Sequence, residues 1–284
     1  MKVFKFGGAS VKDAQGIRNL RDIVLSERGD LIVVVSAMGK TTNALERVVN
    51  ALWLRENEQV EREWQLIYDY HSSVCNALNI HVPLDMPSAD PSVHSYDELY
   101  DQIVSWGELF STRIVSAYLR QSGLDNQWLD ITRLLLTDDS FRHAEVDFPA
   151  SGKRWHRTIM TSDIGTHLWV TQGFIGGTAD GRRTTLGREG SDYSAAIIAN
   201  LMNAESVTIW KDVPGILTAD PRKDKNATLI PRMTYEEAVR VAQSGAQIIH
   251  PRTIEPLQEN NIPLYVKPFQ HPSLHGTIVS AAKD

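Results

Sequence analysis

The run Leu31-Ile32-Val33-Val34-Val35 most narrows what this chain can fold into. Five apolar residues, four of them β-branched, with no polar alternation, cannot leave one face in water. They suit a strand covered on both faces, the situation inside a parallel sheet. Val3 to Phe6, Ser206 to Trp210, Leu264 to Val266 and Ile278-Val279 read as further strands, as do segments near Trp128 to Ile131, Arg157 to Met160 and Leu168 to Phe174. Helical spacing recurs between them: Ile17, Leu20 and Val24, then Thr42 to Leu54, Glu58 to Leu78, one long pattern over Tyr96 to Gln121, and Asp192 to Met202. Thr234-Tyr235-Glu236-Glu237 is a capping box that should open a helix running to about Gln243. His81 to Ser95, with three prolines, reads as a loop, as does the glycine-rich stretch Gly173 to Gly190. Strand and helix alternating in this way predict an α/β chain with one mostly parallel sheet and helices on both faces.

With 42% hydrophobic residues, the 284-residue chain can build a large core, as one α/β domain or two closely joined ones. A formal net charge of -6 and the lack of a basic run argue against nucleic acid as a partner. No apolar stretch is long enough for a membrane span, and a strand starting at residue 3 leaves no room for a signal peptide. Cys75, the one cysteine, reads as a small buried hydrophobe in a reduced, cytoplasmic setting. HExxH, CxxC and GxGxxG are absent, and nine scattered histidines form no metal constellation.

Two distant segments carry the chemistry. Lys5-Phe6-Gly7-Gly8-Ala9-Ser10 ends the first strand. Gly7 and Gly8 would let an anion approach the main chain, the next helix N-terminus would favour negative charge, and Lys5 could neutralise a phosphoryl group in transfer. The plainer alternative is a glycine turn beside a surface lysine. In Leu186-Gly187-Arg188-Glu189-Gly190-Ser191-Asp192-Tyr193, Ser191 could cap the following helix. Arg188 offers a fork for a carboxylate or phosphate, and Asp192 could orient a lysine or hold Mg²⁺ through water. Gly39-Lys40-Thr41 mimics the end of a Walker A loop, but the pattern requires glycine at position 34, which is Val34. Ser36 could still line the site or cap a helix. Glu108, after Gly107 in an apolar helical stretch, either sits inside and paired or faces solvent; solvent is the simpler reading of that segment alone. Lys211-Asp212-Val213-Pro214-Gly215 and Asp220-Pro221-Arg222 suit nucleotide binding or a polar surface loop.

In order, the segments Lys5 to Val11, Ser36, Ser105 to Glu108, Thr184 to Arg188, Asp192 to Ser194, Lys211 to Ile216, Asp220 to Arg222 and Gly245 to Pro251 resemble the amino acid kinase family, and within it the aspartokinases. The resemblance implies a three-layer αβα sandwich and phosphoryl transfer from ATP, carried with Mg²⁺, to the β-carboxylate of L-aspartate. It implies an aspartate-binding lobe over residues 1–195 and an ATP-binding lobe over 196–284. Most aspartokinases also carry C-terminal ACT domains that bind lysine or threonine, whereas this sequence stops at Asp284. It reads as a cut piece, as the catalytic portion of a longer or bifunctional protein, or as an unregulated short form, and no feedback inhibition of this chain alone is expected. Homodimers are common in the family. By matched position, Lys5 and Asp192 would be catalytic, and Asp192 would organise Lys5. Thr42, Glu108, Phe174, Arg188 and Ser191 would hold aspartate, Glu108 receiving its ammonium. Gly7, Gly8, Ser36, Lys211, Asp212, Leu217, Arg222 and Gln247 would serve the nucleotide.

Four positions depart from the pattern: Ala9 for a frequent Thr, Glu189 for a small residue, Lys211 for a Thr and Gln247 for a Lys. Lys211 is expected to offset part of the charge missing at 247. Two other readings remain: a sister kinase with another acidic substrate, and a non-catalytic subunit that binds nucleotide or amino acid.

Overall fold

A computed structural model describes residues 1–85, 93, 95–163, 165–219, 224, 226–243 and 249–282. In chain order the elements are β1 (Lys2–Phe6), α1 (Ala14–Leu25), β2 (Leu31–Val35), α2 (Thr41–Leu54), α3 (Asn57–Leu78), α4 (Tyr96–Val104), α5 (Trp106–Gln121), β3 (Gln127–Trp128) and a 3₁₀ turn (Ile131–Arg133). Then come α6 (Phe148–Met160), β4 (Leu168–Gln172), β5 (Ile175–Gly177), β6 (Arg183–Thr185), α7 (Gly190–Leu201), β7 (Ser206–Lys211), β8 (Arg232–Thr234), α8 (Tyr235–Gln243), α9 (Pro251–Glu259), β9 (Leu264–Pro268) and β10 (Thr277–Ser280).

Among the described residues, eight strands form one sheet in the order β3-β4-β2-β1-β7-β9-β10-β8. Every pairing is parallel except β9 with β10. β2 is central, and all five of its residues are buried. Its side chains alternate between two cores. Ile32 and Val34 join Trp155, Trp169 and the apolar residues of α7 on one face. Val33 and Val35 join Ile17, Leu20 and Val115 on the other. At about 1.5–3 kcal/mol per fully buried aliphatic side chain, this strand alone anchors both layers. The three-layer α/β sandwich expected from the sequence is therefore the fold found. The capping box forms as well: the Thr234 N–H donates to Glu237 at 2.9 Å and the Glu237 N–H to the Thr234 hydroxyl at 3.2 Å. Cys75 is buried.

Four local readings need correction. Arg157 to Met160 is the last turn of α6, not a strand. Asp147 caps that helix at the Ala150 N–H, 2.9 Å away, and Trp155, one turn after Ser151, drives into the core while Met160 stays exposed. A four-residue window cannot reveal the helix it terminates. Trp128 to Ile131 is a two-residue strand leading into a 3₁₀ turn. The pattern over Tyr96 to Gln121 breaks into α4 and α5 at Ser105. Gly173 to Gly190 contains the β5–β6 hairpin. Its glycines allow close packing, since a Cβ on Gly177 would lie 2.2 Å from the Thr132 carbonyl oxygen.

Among the described residues, no helix is long and apolar enough to cross a membrane.

Candidate active site

A cavity of about 430 Å³ opens at the carboxyl ends of β1, β2 and β4. Ligands gather at this end of the strands in open parallel sheets. Lys5, Gly8, Ser36, Thr42, Glu108, Phe174, Arg188, Ser191 and Asp192 line it together, although they span nearly 190 positions.

The turns after β1 and β2 are clasped to each other. The Gly39 N–H donates to the Gly8 carbonyl at 3.0 Å and the Ser36 N–H to the Phe6 carbonyl at 3.1 Å. A Cβ at Gly8 would fall 2.5 Å from the Ala37 carbonyl oxygen, so that turn requires glycine. α1 does not begin at the glycines but at Ala14, and Asp13 already takes its Gly16 N–H. The helix N-termini that reach the cavity are those of α2, through Thr42, and α7, through Gly190, Ser191 and Asp192. Neither has a side-chain cap, which leaves N–H groups for an anion. Ser191 is thus not the cap of α7. The helix begins one residue earlier, after Glu189 turns the chain through a left-handed φ of 56°.

The α7 side of the cavity is cationic. Asp192 is fully buried, with Lys5 Nζ 2.6 Å from its Oδ1 and Lys211 Nζ 2.9 Å from its Oδ2. Burial alone would raise its pKa, but the two ammonium groups prevail and hold it at about 2. Burial opposes the charge on Lys211, yet Asp192 raises its pKa above the usual lysine value. The cluster therefore carries two positive charges and one negative, a net cation suited to phosphoryl oxygens. With both oxygens facing lysines, Asp192 is a poor ligand for a metal, so Mg²⁺ fits better as part of the nucleotide than as a resident ion. No group of three or more His, Cys, Asp or Glu side chains gathers as a metal site among the described residues.

The α5 side differs. Glu108 is only 2% exposed, which corrects the solvent-facing alternative. Gly107 brings it in, since a Cβ there would lie 2.8 Å from the Ala37 side chain. Glu108 Oε1 accepts the Ala37 N–H at 3.1 Å, while Oε2 has no hydrogen-bond partner among the described residues. Burial pushes its pKa to about 8 against the weaker pull of the Ala37 N–H and Lys5. Such a carboxyl is poised to accept a cationic group.

Several residues in the cavity escaped the sequence reading: Tyr100, Arg142 and His143. Asp101, which is fully buried, ties the Arg142 loop to Thr185 of the Thr184 to Arg188 segment. It accepts the Arg142 N–H at 2.9 Å, the Thr185 N–H at 2.8 Å and the Thr185 hydroxyl at 2.7 Å. Burial outweighs these donors and raises its pKa to about 6. An acid among Leu99, Ile103 and Val104 was the one available signal. Of the other sequence candidates, Gly7 sits beside the cavity, its would-be Cβ 3.5 Å from Lys5 Nζ. Lys211 reaches in through Asp192. Asp212 is exposed and Leu217 is buried against the strand-like bridge to Leu229, both outside this cavity. Arg222 and Gln247 lie outside the described residues.

Comparison with known proteins matches residues 1–268 to the family model described as Amino acid kinase family. The chain belongs to the amino acid kinase family. It is 35% identical to the lysine-sensitive aspartokinase 3 of Escherichia coli, over 98% of this chain and 63% of that protein. It is 33% identical to the chloroplastic aspartokinase 1 of Arabidopsis thaliana, over 99% of this chain and 52% of that protein. The structure of E. coli aspartokinase III in complex with aspartate and ADP superposes with a TM-score of 0.87 at 32% identity, covering 100% of this chain and 65% of that one. The chain thus spans less than two thirds of the length of these relatives.

Proposed function

We propose that the chain is an aspartate kinase catalytic domain that transfers the γ-phosphoryl group of Mg-ATP to the β-carboxylate of L-aspartate, giving 4-phospho-L-aspartate and ADP. The observation that carries this reading is one cavity that joins the Lys5–Asp192–Lys211 cluster to the buried Glu108 carboxyl with its unpartnered oxygen. The first matches a transferring phosphate and the second a free amino-acid ammonium. E. coli aspartokinase III, the similar protein solved with aspartate and ADP, supports the same pair of substrates.

In this reading Glu108 takes the substrate ammonium, and Arg188, Thr42, Ser191 and Phe174 hold the rest of the amino acid. Lys5 and Lys211 neutralise charge on the phosphoryl oxygens, and Asp192 keeps both lysines aimed. Gly7 and Gly8 bring main-chain N–H groups and Ser36 its hydroxyl to the phosphates, while Asp212, Leu217, Arg222 and Gln247 serve the remainder of the nucleotide. The amino acid belongs to residues 1–195, and the nucleotide, apart from its phosphates, to 196–284. The attacking carboxylate is already ionised and needs no general base, so alignment and charge neutralisation suffice. An N-acetylated substrate would leave the Glu108 oxygen unpaired, which disfavours that sister reaction. Pairing of two chains in a cytosolic setting completes the proposal, and sedimentation would measure the pairing.

The test is incubation of the purified chain with Mg-ATP, hydroxylamine and L-aspartate, with glutamate and N-acetylglutamate in parallel. Aspartyl hydroxamate alone, lost in Lys5→Ala, is the expected outcome. A folded chain that binds ATP yet yields no hydroxamate from any acid would instead be a binding subunit.

A further inference from the structure

A second cavity, of about 920 Å³, lies where α5, β3, the 3₁₀ turn and α6 meet. It shares no lining residue with the first. Four arginines line it, Arg113, Arg133, Arg154 and Arg157, against one acid, Asp130. Four positive charges less one negative leave an excess of three, in a chain whose formal net charge is -6. Gathering like charges around one hollow costs stability unless an anion enters it.

Asp130 does not neutralise the group. It accepts the Thr132 N–H at 3.1 Å and the Thr132 hydroxyl at 2.7 Å, and its Oδ2 reaches Arg133 Nε only at 3.9 Å. Arg154 is steadied by a hydrogen bond to the Arg133 carbonyl at 2.9 Å, a contact that orients the guanidinium without discharging it. Arg113 and Arg157 make no ion pair with a carboxylate among the described residues. Arg113 is nevertheless held in place. Its guanidinium stacks 5.3 Å from the Trp128 ring, which is itself locked by donating Nε1–H to the Thr112 hydroxyl at 3.0 Å. An aromatic face fixes the plane of a guanidinium and leaves its N–H fork open at the edge.

We propose that this second cavity binds a small oxyanion ligand carrying two or more negative charges, through the forks of Arg113 and Arg157 with Arg133 and Arg154 around them. Planar guanidinium groups match phosphate and carboxylate oxygens two at a time, and the volume is in the range of small-molecule sites. Phosphate-bearing and polycarboxylate ligands share this chemistry, and the experiment separates them.

The whole chain is titrated at low ionic strength with pyrophosphate and, separately, with citrate, read by calorimetry and tryptophan fluorescence. Because an anion could also enter the first cavity, Lys5→Met is titrated in parallel. The site predicts saturable binding of at least one probe that survives Lys5→Met. That binding should weaken by about tenfold or more in Arg113→Gln/Arg157→Gln, the loss expected for one charge-assisted contact, and less in Arg113→Lys/Arg157→Lys. Tighter pyrophosphate assigns a phosphate-bearing ligand, and tighter citrate a polycarboxylate. Arg157 is exposed on α6, so Arg157→Gln alone serves if the double variant melts early, and it must still weaken binding several-fold. No saturable binding of either probe, binding lost in Lys5→Met, or binding indifferent to the arginines would overturn the proposal.

Discussion

Asp192 on α7 and Glu108 on α5 line the same cavity, and both are shut away from solvent. Burial penalises ionisation equally in kind at the two places, yet one carboxyl is held at about 2 and the other pushed to about 8. The difference is in what each faces. Asp192 has an ammonium group at each oxygen, whereas Glu108 has one backbone N–H and an empty side. In an enclosed site, the partner rather than the depth sets the charge. The α7 side is thus complete before any ligand arrives, and the α5 side is completed by one. At neutral pH, ionised Glu108 lies above its protonated form, a gap that a single ammonium can close.

The sharpest break of this contrast is Asp192→Asn. Removing the carboxylate leaves two lysines facing each other, and we expect a loss of about 3 kcal/mol in denaturant unfolding, with activity down by about a hundredfold or more. Adding Lys211→Met to that variant should recover part of the stability. If Asp192→Asn unfolds like wild type, the cluster is not a paired network.

Glu108→Gln should act in the opposite sense. The native carboxyl is mostly protonated at pH 7, so stability should change by less than about 1 kcal/mol, while the KM for aspartate rises by about 10- to 100-fold. Steady-state kinetics beside thermal melts would separate the two effects.

The same carboxyl predicts a pH dependence. The folded, empty protein holds a proton on Glu108 up to about pH 8, above the ordinary glutamate value of 4.5. An ammonium ligand favours the ionised form, so binding should release a proton below that pH. Aspartate affinity should rise by up to about tenfold per pH unit toward pH 8 and then level off. Calorimetric enthalpies that do not vary with buffer ionisation would contradict this. The sign for stability is reversed: Glu108 binds its proton more tightly folded than unfolded, so its contribution declines as pH rises from 4.5 to about 8. Asp192, lowered from 3.8 to about 2, contributes stability above 3.8 and loses it as pH falls toward 2.

The smallest expected effect is Lys211→Thr. Asp192 keeps Lys5, so the fold should hold within about 1 kcal/mol and turnover should fall by roughly tenfold, through one lost charge near the phosphoryl group. An unchanged kcat would remove Lys211 from the cluster's chemistry.

Much of this architecture was legible in the chain. The unbroken run Leu31–Val35 demanded cover on both faces, and the Thr234–Glu237 box announced α8. Lys5, Gly8 and Asp192 stood out because glycine turns and charges at strand ends are local signals. Other features depended on contacts that no window contains. Arg157–Met160 reads as a strand because so short a window does not contain the Asp147 cap ten residues earlier. Glu108 read as solvent-facing because its segment does not show Ala37 packed on Gly107. Arg142 and His143 carry no motif and reach the cavity because Asp101 ties their loop to Thr185 at the end of β6.

The parallel sheet, its two covering layers and the glycine turn at Gly7 and Gly8 are written in the chain, since they follow from burial patterns and backbone freedom within a few residues. Which charges meet is settled by the folded packing: Asp192 between two lysines, Glu108 half-partnered, and four arginines around a hollow. The state of an ionisable group depends on solvent exclusion and on neighbours brought from remote parts of the chain, and those exist only once the sheet has closed its layers.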